Sequence, residues 1–283
     1  MVLVIGGRSK IGAAVIAELL ARGQSVRALV RSGEGSAFHE PIEVVRGDLA
    51  DRDSLATAME GADRVFLLCG PREDEVELNQ NAIDAAEDAE VSLLVRSSIL
   101  GADPESPSTF NRDHGICDSY LRDSAVEHAI VRPHMFMQNV PESTIPSIGG
   151  DGVFYANAGQ ARISMVDTRD VGAVAAVLLT EPGHENDELD VTGPEALSYT
   201  DVATKLSGAL SRSITYVDAP DDAVREALAG FGVGEWLVNG LVELFQEYRR
   251  AGEDGYVAQV TDTVTRLTGR APRTLGQLLE EVR

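Results

Sequence analysis

The chain has 283 residues, 43% of them apolar, which suffices for a full core and leaves no run of about 18 apolar residues to span a membrane. Its 46 acidic and 24 basic residues give a net charge of −22. That balance excludes the clustered Lys and Arg of a nucleic-acid surface and reads as a solubility device. Cys69 and Cys117 cannot form a disulfide framework, and with His114 they are too few to hold a structural zinc, so no metal is expected.

The first element begins at once. "VLVIGGRSKIG" reads as strand, tight turn and helix start, with no charged and apolar leader before it, so a cytoplasmic protein is expected. A helix follows from Lys10 to Arg22, with Ile11, Val15 and Leu19 on one face and Gly23 as its cap. "SVRALVR" and "IEVVRGD" are the second and third strands, and a short helix through Leu55, Ala58 and Met59 stops at Gly61. "DRVFLLCGP" is a buried fourth strand, "EVELNQNAIDAAEDA" a helix, "VSLLVRSSI" a fifth strand, Asn111–Arg122 a helix and "EHAIVRP" a sixth strand. Strands this rich in Val, Ile and Leu, alternating with helices, predict an α/β doubly wound, Rossmann-like parallel sheet. After Pro133 the pattern turns loop-like, then gives the helix "TRDVGAVAAVLLTE", the segment "ELDVTG", and a mainly helical end. The expected division is a dinucleotide-binding domain over 1–180 and a smaller, mainly helical lobe over 181–283. Residues 134–155 are expected to add loops to the cleft.

The glycine turn points to a dinucleotide. Gly6 permits the tight turn, Gly12 the close packing of helix on strand, and Arg8, Ser9, Lys10 and Ile11 lie where a pyrophosphate meets a helix N-terminus. Ser9 stands where the fingerprint usually has a glycine; it narrows the approach, yet its hydroxyl can donate to a phosphate. Arg31 ends the second strand, where a carboxylate would favour NAD and a guanidinium suits a 2′-phosphate. NADP is therefore preferred, with Arg8 sharing the load. Asp48 and Leu49 follow the third strand beside the expected adenine, although Asp is equally a helix-capping residue. Cys69, Gly70 and Pro71 are small enough to let a ribose and nicotinamide pass, the Cys69 thiol reading as a buried apolar group. Ser97 and Ser98 end the fifth strand, where a hydroxyl can meet a substrate carbonyl. His114 and Asp118 are one helical turn apart and face the same crevice, or else His114 is an inert helix residue.

Taken together, the glycine turn, Arg31, "GDLAD", "VRSSI", "HGICDSYLRDS" and "IVRPHMFMQN" resemble the NmrA-like members of the atypical short-chain dehydrogenase/reductase family. The likeness runs through "MVDTRDVGAVAAVLLTEPGHEN" to "VTRLTGRAPRTLGQLLEE". It is nearest to the branch holding type 2 quinone oxidoreductases and triphenylmethane reductases. The resemblance implies NADPH as cofactor, cofactor roles for Gly6, Gly12, Arg31, Asp48, Gly70 and Ser97, and a substrate pocket at His114, Pro133 and Phe136. The Tyr-x-x-x-Lys pair of alcohol-oxidising relatives is absent: Gly6 stands four residues before Lys10 and Asp201 four before Lys205, the chain's two lysines. His114 takes the tyrosine-like place and Asp118 the lysine-like one, which makes His114 and Ser97 the catalytic candidates. Three functions fit. The first is an NADPH-dependent reductase passing hydride to an electron-poor small molecule such as a quinone. The second is a non-catalytic NAD(P)-binding redox sensor acting through a protein partner, and the third a biosynthetic enzyme acting on a polycyclic ketone. A monomer or homodimer is expected, with no nucleic-acid or membrane partner.

Overall fold

The computed structural model describes residues 1–31, 38 and 41–282. The chain runs β1 (Val2–Ile5), α1 (Lys10–Ala21), β2 (Val26–Val30), β3 (Glu43–Arg46), α2 (Arg52–Met59), β4 (Arg64–Leu67), α3 (Glu75–Asp88), β5 (Leu93–Ser97), α4 (Thr109–Asp123) and β6 (His128–Pro133). A π-helical turn (Val140–Thr144), a short α5 (Ile145–Ser147), β7 (Val153–Ala156), α6 (Thr168–Leu178) and β8 (Glu188–Val191) follow. The chain ends with α7 (Tyr199–Leu210), β9 (Thr215–Asp218), α8 (Asp221–Gly230), α9 (Glu235–Ala251), a 3-10 turn (Tyr256–Ala258), α10 (Thr263–Thr268) and α11 (Leu275–Glu281).

Seven strands form one parallel sheet in the order β3-β2-β1-β4-β5-β6-β8. The order reverses between β1 and β4, and ligands of such sheets bind beyond the strand ends at that point. All four residues of β1 are buried, as a central strand covered on both faces requires. One face packs on α1 and α6 through Val4, Val15, Phe66 and Val174; the other carries α2, α3 and α4 through Leu3, Leu55, Leu67, Ile83 and Leu121. The doubly wound expectation holds. "ELDVTG" supplies the seventh strand, β8, which pairs with β6 although it lies beyond residue 180.

A second core gathers Met137, Phe154, Ile163 and Met165 with Leu197, Val202, Tyr248, Val257 and Leu275. It carries a small two-stranded sheet of β7 paired in parallel with β9. Its aromatic rings meet in tilted and edge-on pairs, Phe154 on Tyr216 at 5.6 Å and Tyr199 on Phe245 at 5.9 Å. The sequence pattern reads β7 as loop, because four residues between glycine-rich flanks show no period. Only pairing with a distant segment makes them a strand.

Candidate functional site

The turn after β1 is built by its glycines. Gly6 has φ +81°, a conformation side chains rarely adopt, and a Cβ there would lie 2.5 Å from the Leu68 carbonyl oxygen. A Cβ on Gly12 would lie 2.2 Å from the Gly6 carbonyl oxygen, so α1 starts directly against the turn. Ser9 is the N-cap of α1, its Oγ accepting from the Gly12 N–H at 3.0 Å. That bond engages a lone pair and leaves the hydroxyl hydrogen for a ligand.

Beyond this turn lies an open cleft of about 400 Å³. It brings together Gly6, Arg8, Ser9, Arg31, Asp48, Leu49, Cys69, Gly70 and Pro71, all singled out in the sequence, and adds Gly47, Leu68 and Arg72. Asp48 makes its own turn, Oδ1 accepting from the Ala50 N–H at 3.0 Å, while Asp51 caps α2. A side chain at Gly70 would meet nothing within 4 Å, which keeps the cleft open beside β4. Burial pushes the Cys69 thiol up to about 12, so it is a small neutral wall rather than a nucleophile. Arg72 is paired with Asp74.

Other expected residues stand outside this lining. Ile11 turns its side chain into the core, leaving only its backbone for a ligand. Lys10 pairs with Glu142 of the π-helical turn, joining the start of α1 to the segment after β6. Pro133 ends β6, its carbonyl accepting from the Leu100 N–H at 2.9 Å. Phe136 packs on the sheet's first core and bridges to Val166. Ser97 is buried at the end of β5.

His114 and Asp118 belong to a buried charged network that the sequence reading missed. At its centre is Arg96 of β5, 0% exposed. Its Nη1 donates to Asp118, its Nε to Asn79 Oδ1 at 3.0 Å, and its Nη2 to His114 Nδ1 at 3.0 Å. A guanidinium can only donate, so Nδ1 is the accepting nitrogen and the imidazole proton sits on Nε2. That nitrogen lies 3.3 Å from Glu75 Oε1. Burial, reinforced by the Arg96 charge, holds His114 well below the usual imidazole range, so the ring is neutral. Burial also pushes the Glu75 carboxyl up to about 8, against the pull of Arg96. The other oxygen of Asp118 accepts from Ser98 Oγ at 2.9 Å and from Arg132 Nε at 3.4 Å. The clue was an arginine inside the apolar run "VSLLVRSSI", since a buried charge must find partners. Tyr120, also on α4, points away and donates to Asp84 at 2.6 Å.

Fold and cleft together define a Rossmann-like α/β protein with an open cleft at its glycine turn. Residues 1–276 match the model of the NmrA-like family, and the chain belongs to it. It is 36% identical to the NAD(P)H azoreductase of Xenophilus azovorans over 279 residues, 98% of this chain and 96% of that one. It is 34% identical to the (4-alkanoyl-5-oxo-2,5-dihydrofuran-3-yl)methyl phosphate reductase of Streptomyces griseus over 276 residues, 96% of this chain and 94% of that one. The crystal structure of the NADPH-dependent quinone oxidoreductase of Escherichia coli complexed with NADPH superposes with a TM-score of 0.89 at 24% identity. It covers 100% of this chain and 99% of that one, a likeness of fold. Among the described residues no helix is long and apolar enough to cross a membrane, and no cluster of His, Cys, Asp and Glu is placed to hold a metal ion.

Proposed function

We propose that the protein is an NADPH-dependent reductase that delivers hydride to an electron-poor acceptor such as a quinone. The observation that carries this reading is the cleft at the glycine turn, with Arg8 and Arg31 on its wall. The cradle fits a dinucleotide: Gly6 and Gly12 let the turn pack tightly against Leu68 and the start of α1, whose N-terminus presents N–H groups to a pyrophosphate. Arg31 and Arg8 would hold the 2′-phosphate, Asp48 and Leu49 the adenine side, and Gly70 and Pro71 the passage toward the acceptor. Bound NADPH supplies the hydride. The relatives named NAD(P)H azoreductase and (4-alkanoyl-5-oxo-2,5-dihydrofuran-3-yl)methyl phosphate reductase support a reductase over a non-catalytic role.

The protein's own residues fit an acceptor that needs little acid help. No tyrosine–lysine pair is available, and His114 is buried, its Nδ1 accepting from Arg96 and its Nε2 3.3 Å from Glu75 Oε1. His114 is thereby a positioning residue, holding α4 and its neighbours against the end of β5. A quinone suits such a site because its reduced form is a stabilised anion that takes its proton from water. The test is NADPH consumption by the purified protein with a panel of quinones and azo compounds, alongside an NADPH binding titration. Turnover with at least one acceptor supports the reductase. Tight NADPH binding with no turnover on any acceptor replaces it with the redox sensor.

A further inference from the structure

A second cavity of about 440 Å³ opens at the other half of the sheet, beyond β5, β6 and β8, and shares no lining residue with the cofactor cleft. Its floor is Arg132 and Asp190, its walls the loop through Asp103 with Asn111 of α4, and its roof Glu247 of α9 with Tyr256. A volume of this size falls in the range of small-molecule sites, roughly 300–1,000 Å³.

The lining is rich in acceptors, its carboxylates Asp103, Glu105, Asp190 and Glu247 facing one cationic side chain, Arg132. Asn111 is 1% exposed; its Nδ2 donates to Tyr256 Oη at 3.3 Å, and its Oδ1 is buried without a partner. A buried amide oxygen left so is destabilising unless something donates to it. Asp190 gives its backbone carbonyl to the hydroxyls of Thr261 and Thr263, while its half-buried carboxylate has no hydrogen-bond or ion-pair partner among the described residues. The charge of Arg132, the cross-strand neighbour of Asp190, favours the charged form of that carboxylate, but Arg132 places its hydrogen bonds on Asp118 and Glu188. Tyr256 adds an aromatic face, seated against Gly101, where a Cβ would lie 2.6 Å from the ring.

Unanswered acceptors, surplus carboxylates and an aromatic wall are the elements that recognise an organic cation. No metal-holding cluster of His, Cys, Asp and Glu occurs among the described residues. From the geometry we infer that this cavity binds a small organic cation bearing N–H donors, an ammonium or amidinium, with Asn111 Oδ1 and the Asp190 carboxylate as its acceptors.

The probe is benzamidine, with benzamide as its uncharged counterpart, titrated calorimetrically at fixed ionic strength. Benzamidine is expected to bind with Kd below about 1 mM, at least tenfold tighter than benzamide. Asn111→Leu and Asp190→Asn should each weaken benzamidine at least tenfold, about 1.4 kcal/mol per decade, while NADPH affinity stays unchanged. Asn111→Leu alters no charge, so it separates this cavity from loose attraction to a chain of net charge −22. Should Asn111→Leu fail to fold, Asp190→Asn decides. Benzamidine binding no tighter than benzamide, or binding that a folded variant leaves intact, overturns the assignment. Because NADPH binding is read separately, either result leaves the reductase reading to its own test.

Discussion

Along the carboxyl edge of the sheet, the β1–β4 half is lined by glycines and small residues, with Arg8, Arg31 and Arg72 at its wall, and it lies open. The end of β5 is closed over Arg96, whose partners come from α3 and α4, and the second cavity opens only beyond that plug. The first half gains its specificity from what is missing at Gly6, Gly12 and Gly70. The second depends on each charge finding its counterpart. The void is thus assembled from short motifs at successive strand ends, each readable by itself, whereas the buried charge network is specified only by the fold.

The largest effect should come from breaking the network at its centre. Arg96→Met leaves the buried Asp118 carboxylate with only the longer cationic contact from Arg132 and strips His114 and Asn79 of their donor; it is expected to cost about 3–5 kcal/mol of stability, read by urea unfolding. A loss below about 1 kcal/mol would show that the two halves do not differ in this way. On the open side, Gly12→Ala forces the turn apart. Roughly 1–3 kcal/mol of stability should go, together with at least a tenfold loss of NADPH affinity. Unchanged NADPH affinity would mean that the turn does not seat the cofactor.

Arg31→Asp is a finer probe. It should weaken NADPH at least tenfold, on the order of 1.4 kcal/mol, and spare NADH. Equal losses for both would take the 2′-phosphate from Arg31. Glu75→Gln tests the pH behaviour of the closed half. The folded carboxyl is raised to about 8, so the native state holds its proton where the unfolded chain has released it. The stability contributed by Glu75 is present below the unfolded value and is lost as pH rises toward 8. The variant should therefore gain a few degrees in Tm over the wild type at pH 9 relative to pH 5, since about 1 kcal/mol moves Tm by roughly 2–4 °C in a chain of this size. A constant difference would remove Glu75 from the account. The smallest effect belongs to Tyr120→Phe, which should leave turnover almost unchanged because its hydroxyl is spent on Asp84. Abolished turnover would return a tyrosine acid to the mechanism.

The sheet and the open cleft were legible because their signals are local: apolar runs at regular intervals, the glycine turn, and an arginine at the end of β2. Ser9 was legible only in part, since its capping of Gly12 depends on side-chain direction. His114 and Asp118 were found from their helical spacing, but their shared partner was not, because Arg96 reads as one polar letter in a strand. Glu75 and Asn79 looked like an ordinary helix face; burial by α4 makes them part of the network. The β7–β9 pair escaped for the same reason, being two short segments that become strands only through each other.

The second core has a consequence for how such proteins can be rebuilt. It takes residues from three separate stretches, Met137 to Met165, Leu197 to Val257 and Leu275 to Leu279, and between them the chain returns to the sheet through α6, β8 and Val264. No single cut frees this lobe from the sheet. Exchanging it between relatives as one cassette would divide the core, so a working chimera must swap all three stretches together. The two cores should accordingly melt in one cooperative calorimetric transition, and a fragment ending after β8 should lose β7 along with everything it lacks.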